Sequence, residues 1–183
     1  MDLQPVLEND YIIARPLKES DFDILFKAAS DPLIWDQHPN KNRYKKPDFE
    51  NFFKGAMESG GAFIVFSKET GEVIGSSRYY GYNEEERSIE IGYTFFSREN
   101  WGKNMNRNLK TVMLNHAFTF VDKVIFHIGA QNLRSQKSIE KLNARKTGEK
   151  IVEYFGESPK LNFVYEIDKK DWISGPEPDS DHR

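Results

Sequence analysis

Three strand patterns follow one another between residues 62 and 96, and they constrain the fold more than any other feature. The first two, AFIVFS (62–67) and VIGSSRYYGY (73–82), are joined by a short Gly-containing connection typical of a β-hairpin. The third, SIEIGYTFF (88–96), alternates, which predicts one face made of Ile89, Ile91, Tyr93 and Phe95. The chain is therefore expected to build on a largely antiparallel sheet.

Helix and strand patterns continue on both sides of these strands. The other predicted strands span 11–16, 124–130, 150–155 and 161–167, and the predicted helices span about 20–30, 49–57, 106–121 and 134–142. Ser20 is the expected N-cap of the first helix. The order β-α-α-β-β-β-α-β-α-β-β predicts an α+β fold, in which about four helices flank a central, mostly antiparallel mixed sheet.

The composition is that of a small globular protein. A length of 183 residues suits a single domain, predicted to span 1–173, with the polar, Pro-containing segment 174–183 expected to be a disordered tail. The absence of cysteine excludes disulfides, thiolate zinc sites and a Cys nucleophile, and it fits a cytoplasmic location. Neither a signal-peptide pattern nor an apolar run of about 18 residues is present, so no membrane partner is expected.

Charge and histidine spacing argue against two further classes of function. The formal net charge of -3 gives no general attraction to nucleic acids, so the basic and aromatic stretch NKNRYKKP (40–47) is expected to be a solvated loop. The histidines form no short-spaced ligand pair, which predicts that no metal is bound; they are His38, His116, His127 and His182.

The segment ENWGKNMNRNLK (99–110) has the pattern of a loop followed by a helix. The first N–H groups of a helix have no intrahelical partners and carry partial positive charge, so a helix start can bind an anion. Lys103 and Arg107 lie in the same segment. Asn104 stands where a left-handed Gly would suit such a loop, and Asn adopts that conformation more readily than most residues. Two interpretations stay open, a phosphate site and an ordinary helix start with solvated basic residues.

The run from IEIGYTFF (89–96) through residues 99–110 to NLRSQKSIEKLNA (132–144) resembles the core of the GNAT superfamily of acyl-CoA N-acyltransferases. It is most similar to the branch that contains bacterial ribosomal-protein N-terminal acetyltransferases. The resemblance covers the whole chain in element order. It implies that the fourth and fifth predicted strands splay apart to receive the acyl-CoA.

The pyrophosphate loop carries part of this resemblance. In the branch it often has the pattern Trp-Gly-Lys-Gly-x-Ala, which Trp101, Gly102 and Lys103 match, whereas Asn104 and Asn106 replace the second Gly and the Ala. Since the family's contacts here come mostly from backbone N–H groups, the resemblance implies a loop that still binds the cofactor, if more weakly. The implied cofactor contacts are the backbone of Thr94, Phe95 and Phe96, together with Trp101, Gly102, Lys103, Asn104, Met105, Asn106 and Arg107.

A second motif, Asn-x-x-Ser at Asn132 and Ser135, is followed by Glu140 and Lys141. The resemblance implies that Asn132 contacts the cofactor and that Ser135 lies near its sulfur as the candidate general acid, because the Tyr that can take this role in the family is replaced by Ile139. The alternative is that Asn132 only caps a helix.

Direct attack of an amine on a thioester needs the amine unprotonated, so a base is expected nearby. Glu90 is the candidate catalytic base, with a cross-strand charge pair as the alternative, and Gly92 beside it predicts a β-bulge or a close backbone approach. His127 is either a proton relay or an ordinary packing residue. The resemblance places the loop before the second helix at the acceptor site, which makes Trp35 and His38 candidate substrate-binding residues.

Together these features predict an enzyme, an N-acetyltransferase that moves an acetyl group from acetyl-CoA to a primary amine in a ternary complex, without a metal. The acceptor is expected to be a protein N-terminus or a small molecule. The alternative is a non-catalytic protein that binds CoA in a structural or sensing role. Exposed strand edges near the C-terminus predict that two copies can pair as a homodimer.

Overall fold

The computed structural model describes residues 1–173, so the predicted tail 174–183 lies outside the described residues. The strands are β1 (Leu7–Glu8), β2 (Ile12–Pro16), β3 (Ala62–Ser67), β4 (Val73–Asn83), β5 (Ser88–Phe96), β6 (Lys123–Gly129), β7 (Arg145–Val152) and β8 (Lys160–Asp168). The α-helices within the described residues are α1 (Phe22–Ala29), α2 (Lys46–Glu58), α3 (Met105–Ala117), α4 (Leu133–Glu140) and α5 (Lys169–Ile173). The predicted element order is confirmed, with the short β1 and α5 added at the two ends.

The strands form one mixed sheet in the order β1-β2-β3-β4-β5-β6-β8-β7, and the α+β class is confirmed. Among the strands of residues 1–173, only β5 and β6 pair in parallel, and their pairing stops after Glu90 and Ile125. Beyond that point β6 stays paired with β8 as far as Gly129, while β5 stays paired with β4 as far as Phe96. The two strands therefore splay apart, as the resemblance implied.

The prediction that Ile89, Ile91, Tyr93 and Phe95 share one face is wrong for its second half. Ile89 and Ile91 pack into the core beneath α3, whereas Phe95 and Tyr93 pack on the opposite face with α1 and α2. The cause is a β-bulge, since Tyr93 and Thr94 together oppose the single residue Ser77 on β4 and Tyr93 has φ of 54°. One extra residue exchanges the faces of every residue after it.

Ser20 does not cap α1, because it lies within a short 3-10 turn at 19–21. The Asp21 carboxylate takes over the local hydrogen bonding, accepting the backbone N–H of Lys18 and both terminal nitrogens of Arg15. Within residues 1–173 no helix is long and apolar enough to cross a bilayer. The outer strand β7 is largely exposed, and its pairing with a second copy stays a prediction.

Candidate functional site

A cleft of about 920 Å³ opens where β5 and β6 diverge. Its walls are the second half of both strands, the starts of α3 and α4, and the segment from Ile34 to Arg43. The edge of β5 after Glu90 has no partner strand on the β6 side, and Thr94, Phe95 and Phe96 line the cleft along this edge. The fold thus exposes a strand edge inside a cleft.

The predicted phosphate-binding loop lies at one end of this cleft. Asn104 is the N-cap residue of α3 and has φ of 59° and ψ of 12°, which confirms the expected left-handed conformation. Gly102, two residues earlier, has φ of 76° and lines the cleft. The first intrahelical bond starts at the N–H of Asn108, so the N–H groups of residues 105–107 have no partner within the helix. The loop has the conformation that an anion site at a helix start requires.

Basic side chains are unequally distributed around this loop. Arg107 from α3, Lys137 from α4 and Lys141 directly after α4 line the cleft. The side chain of Lys103 is exposed and does not line the cleft, so of the predicted loop contacts it contributes at most its backbone. These positive charges therefore come from α3 and from α4 with the residue that follows it.

The Asn-x-x-Ser motif borders the same cleft. The Asn132 side chain accepts the backbone N–H of Ser135 at 3.1 Å, so it caps α4 as the alternative interpretation held. Asn132 and Ser135 both line the cleft as well. Across from them, Asn106 donates to Ser138 at 2.5 Å, while its Oδ1 atom is buried without a hydrogen-bond partner among the described residues.

Glu90 forms a cross-strand pair with His127. Its carboxylate lies 2.8 Å from His127 Nδ1, and His127 lines the cleft whereas Glu90 lies behind it. Burial and then the charge of Glu90 raise the pKa of Tyr80 well above its usual value. A Cβ atom at Gly92 would lie 2.9 Å from the Tyr80 hydroxyl oxygen, so the absent side chain allows the close approach that the sequence predicted.

Lys110 is a functional candidate that sequence reasoning missed. It lines the cleft from α3, is 2% exposed, and donates to Thr94 Oγ1 at 2.5 Å and to Ser77 Oγ at 3.2 Å. Burial lowers its pKa to about 7. The available signal was its spacing, since Lys110 precedes Met113 and Ala117 on the apolar face of the helix.

The other end of the cleft is aromatic. His38 lines it together with Tyr93 and Tyr154, and burial with the charges of Arg43 and Arg134 lowers the pKa of His38 to about 3. His38 is therefore neutral near pH 7, which argues against a role as a general acid.

The prediction that Trp35 contacts a substrate is not supported by its position. The ring is fully buried, its Nε1 donates to the Ala29 carbonyl at 2.7 Å, and it lies behind the cleft wall. In front of it stands Arg43, which lies 5.7 Å from the Trp35 ring and forms two hydrogen bonds of 3.0 Å to Glu157. No group of three or more metal-ligating side chains occurs between residues 1 and 173.

Comparison with known proteins agrees with this geometry. Residues 12–145 match the acetyltransferase (GNAT) domain family. The chain is 25% identical over 149 residues to the uncharacterized N-acetyltransferase p20 of Bacillus licheniformis, covering 78% of this chain and 83% of p20.

Two solved structures share the fold. A GCN5-related N-acetyltransferase from Brucella melitensis superposes with a TM-score of 0.77 at 17% identity, covering 93% of this chain and 81% of the other. The spermidine N-acetyltransferase of Vibrio cholerae, solved with CoA and spermine, superposes with a TM-score of 0.68 at 18% identity, covering 90% and 99%. Since the family match spans more than half of the sequence, the chain belongs to the GNAT family of acetyltransferases.

Proposed function

We propose that the protein is an acetyl-CoA-dependent N-acetyltransferase that moves the acetyl group directly to a primary amine in a ternary complex. One observation carries this function. A single cleft joins an anion-binding helix start, an unpaired edge of β5 and the Glu90–His127 pair. This order of groups matches the order of groups in an acyl-CoA, with its phosphates at one end and its thioester at the other.

The phosphates are held by the free N–H groups of residues 105–107 and by the charges of Arg107, Lys137 and Lys141. The pantetheine arm then lies along the open edge of β5 beside Thr94 and Phe95. The Phe96 carbonyl, which the resemblance also assigned to the arm, already accepts the indole N–H of Trp101 at 3.0 Å. Asn132 and Ser135 form the opposite wall.

At the thioester, the amine nitrogen attacks the carbonyl carbon and must lose a proton. His127 takes this proton at Nε2. The Glu90 carboxylate accepts a hydrogen bond from His127 Nδ1 and so keeps the resident proton on Nδ1, which leaves Nε2 free to accept. The Ser135 hydroxyl, which forms no hydrogen bond within the described residues, donates a proton to the departing sulfur. Acetyl-CoA as the acyl donor is consistent with the structure of the Vibrio cholerae relative, which was solved in complex with CoA.

We propose that the acceptor presents one amine to the site. Between the two acceptor classes, we propose the α-amine of a protein N-terminus rather than the amine of a small molecule. An α-amine with a pKa near 8 costs only about 1 kcal/mol to deprotonate at pH 7, against roughly 4–5 kcal/mol for a Lys side chain. The carboxylates next to the aromatic end, Glu90 and Glu157, are already paired with His127 and Arg43. A polyamine would find neither carboxylate free there.

Titration calorimetry with acetyl-CoA tests the first step, and the release of free CoA in the presence of peptides or small amines tests the second. We expect micromolar binding, a higher Tm with ligand, and CoA release with at least one peptide that has a free N-terminus. Binding without turnover on any amine would favour the non-catalytic CoA-binding alternative. No binding at millimolar acetyl-CoA would contradict the proposed function itself.

Asn104 gives a direct test of the phosphate-binding loop. Asn104→Gly is expected to bind acetyl-CoA at least as tightly as the wild type, because Gly adopts the observed φ of 59° without strain. Asn104→Val should weaken binding by about 5–30-fold, since a left-handed β-branched residue costs about 1–2 kcal/mol. Calorimetric Kd values measure both effects. Equal Kd values for the two variants would show that the loop conformation does not matter for binding.

A further inference from the structure

Lys110 has no carboxylate counter-ion among the described residues. Its Nζ atom donates to Thr94 Oγ1 and Ser77 Oγ, and no carboxylate within residues 1–173 forms an ion pair with it. The charged residues next to these partners along β4 and β5 face elsewhere, because Arg78 packs on the Tyr93 ring and Glu90 pairs with His127. The third contact of Lys110 is the Phe126 ring on β6, whose centroid is 6.0 Å away.

An ammonium group has three N–H donors, and two of them are used. Both hydroxyl oxygens can accept from Lys110, because their own O–H groups have other acceptors. Ser77 Oγ is 3.3 Å from the Gly92 carbonyl, to which it donates, and 2.8 Å from Thr94 Oγ1. The remaining N–H has no acceptor among the described residues. Because Lys110 lines the cleft, a ligand oxygen is the partner that this donor lacks.

In the proposed binding mode the thioester comes close to this N–H donor. The phosphates lie at residues 102–107, and the arm runs back along β5 from Phe96 towards Thr94, so the thioester end reaches Thr94. Thr94 is the residue to which Lys110 is bonded. The Lys110 ammonium and the thioester carbonyl group therefore both lie next to Thr94.

We propose that Lys110 is a further catalytic residue, whose ammonium donates its unused N–H to the thioester carbonyl oxygen and stabilises the oxyanion formed during acetyl transfer; this inference rests on the proposed function. The amine nitrogen forms a bond to the carbonyl carbon, and the C=O electron pair moves to the oxygen beside Lys110. The pair then returns, the C–S bond breaks, and the sulfur leaves with its electrons and takes a proton from Ser135. The proton lost by the amine passes to His127 and then to water, from which Ser135 is reprotonated.

The charged form of Lys110 is the one that suits the ligand. A neutral amine would present its lone pair to the carbonyl oxygen, and two acceptors facing each other repel, whereas an ammonium N–H forms a charge-assisted hydrogen bond. Burial alone lowers the pKa of Lys110 to about 7 in the ligand-free protein. The thioester carbonyl oxygen accepts the third N–H and thereby stabilises the charged form of Lys110, so binding of acetyl-CoA raises the pKa of Lys110.

Proton uptake on binding tests this directly. At pH 8 a lysine with a pKa of about 7 is protonated in only about one tenth of the molecules, so complete protonation in the complex takes up about 0.9 proton. We would titrate the protein with acetyl-CoA in HEPES and in Tris, since the difference in heat between buffers counts the protons. The wild type is expected to take up close to one proton, whereas Lys110→Met is expected to bind acetyl-CoA without this uptake. The wild-type measurement does not depend on how any variant folds.

Kinetics with an accepted amine gives the second readout. Lys110→Met should lower kcat by about 10²–10³-fold with little change in KM, as expected when one oxyanion donor is removed. Lys27→Met, a change at an exposed position on α1, should leave both constants unchanged. Binding without uptake by the wild type, unchanged kcat in Lys110→Met, or an acetyl group found on Lys110 by mass spectrometry would each overturn the inference. Absence of acetyl-CoA binding by the wild type would instead remove the proposed function on which it rests.

Discussion

Glu90→Gln should lower kcat for acetyl transfer by about 10²–10⁴-fold, the range attributed to general acid–base catalysis. The Glu90 carboxylate lies 2.8 Å from His127 Nδ1, where its charge stabilises the protonated imidazole and fixes the proton on Nδ1. A carboxamide removes the charge and can present an N–H group to Nδ1, which leaves Nε2 protonated and unable to accept. Steady-state kcat at saturating acetyl-CoA measures the loss, while the calorimetric Kd for acetyl-CoA should stay close to the wild-type value.

A neighbouring carboxylate supplies a matched control. The Glu166 side chain on β8 is 20% exposed against 19% for Glu90, and it pairs with Lys123 instead of a cleft residue. Glu166→Gln should therefore keep full activity. If Glu90 acts through His127, then His127→Gln and the double variant should lose about as much activity as Glu90→Gln alone, because residues of one unit are non-additive. Unchanged kcat in Glu90→Gln would contradict a role for this pair in catalysis.

The fold was predictable from the sequence because its signals are local. The hairpin pattern marked β3 and β4, the alternation of apolar residues marked β5, and the periodic apolar face marked α3. The error at Tyr93 and Phe95 has a physical cause, since a β-bulge inserts one residue and exchanges the two faces after it. Gly92 signalled an irregularity, but a Gly gives no indication of which side of it the extra residue lies on.

The candidate site was predictable only in part, for a similar reason. The phosphate-binding loop is built from consecutive backbone groups, so the sequence around Asn104 was sufficient to predict it. The partners of Lys110 lie 16 and 33 residues away, and those of Arg43 lie 114 residues away. No pattern within one element indicates that such side chains meet. They are paired by the sheet topology, which the sequence predicted only as an order of elements.

Glu157→Ala should be the most destabilising single change that this site offers, lowering the free energy of unfolding by about 3–5 kcal/mol. The Arg43 side chain is 2% exposed and forms two hydrogen bonds of 3.0 Å to Glu157, so the variant leaves a buried guanidinium without its counter-charge. For a chain of this size 1 kcal/mol shifts Tm by about 2–4 °C, so Tm should fall by about 6–20 °C. Thermal unfolding by circular dichroism measures the shift. Asp122→Ala is the control, because the Arg87–Asp122 pair is more than half exposed and should leave Tm unchanged.

The double variant Arg43→Met with Glu157→Ala separates the pair from its surroundings. If the loss in Glu157→Ala comes from the uncompensated charge, removing Arg43 as well should raise Tm above that of the single variant, because no buried ion then remains. The rings of Trp35, Phe52 and Tyr154 lie 5.1–5.7 Å from the guanidinium and partly compensate it, which favours the lower end of the expected range. Equal Tm values for the single variant and the wild type would show that these rings suffice. Since Arg43 precedes α2 and Glu157 lies between β7 and β8, the pair joins two segments that both contribute residues to the proposed acceptor end, Arg43 itself and Tyr154. Glu157→Ala should therefore also raise KM for the amine more than KM for acetyl-CoA.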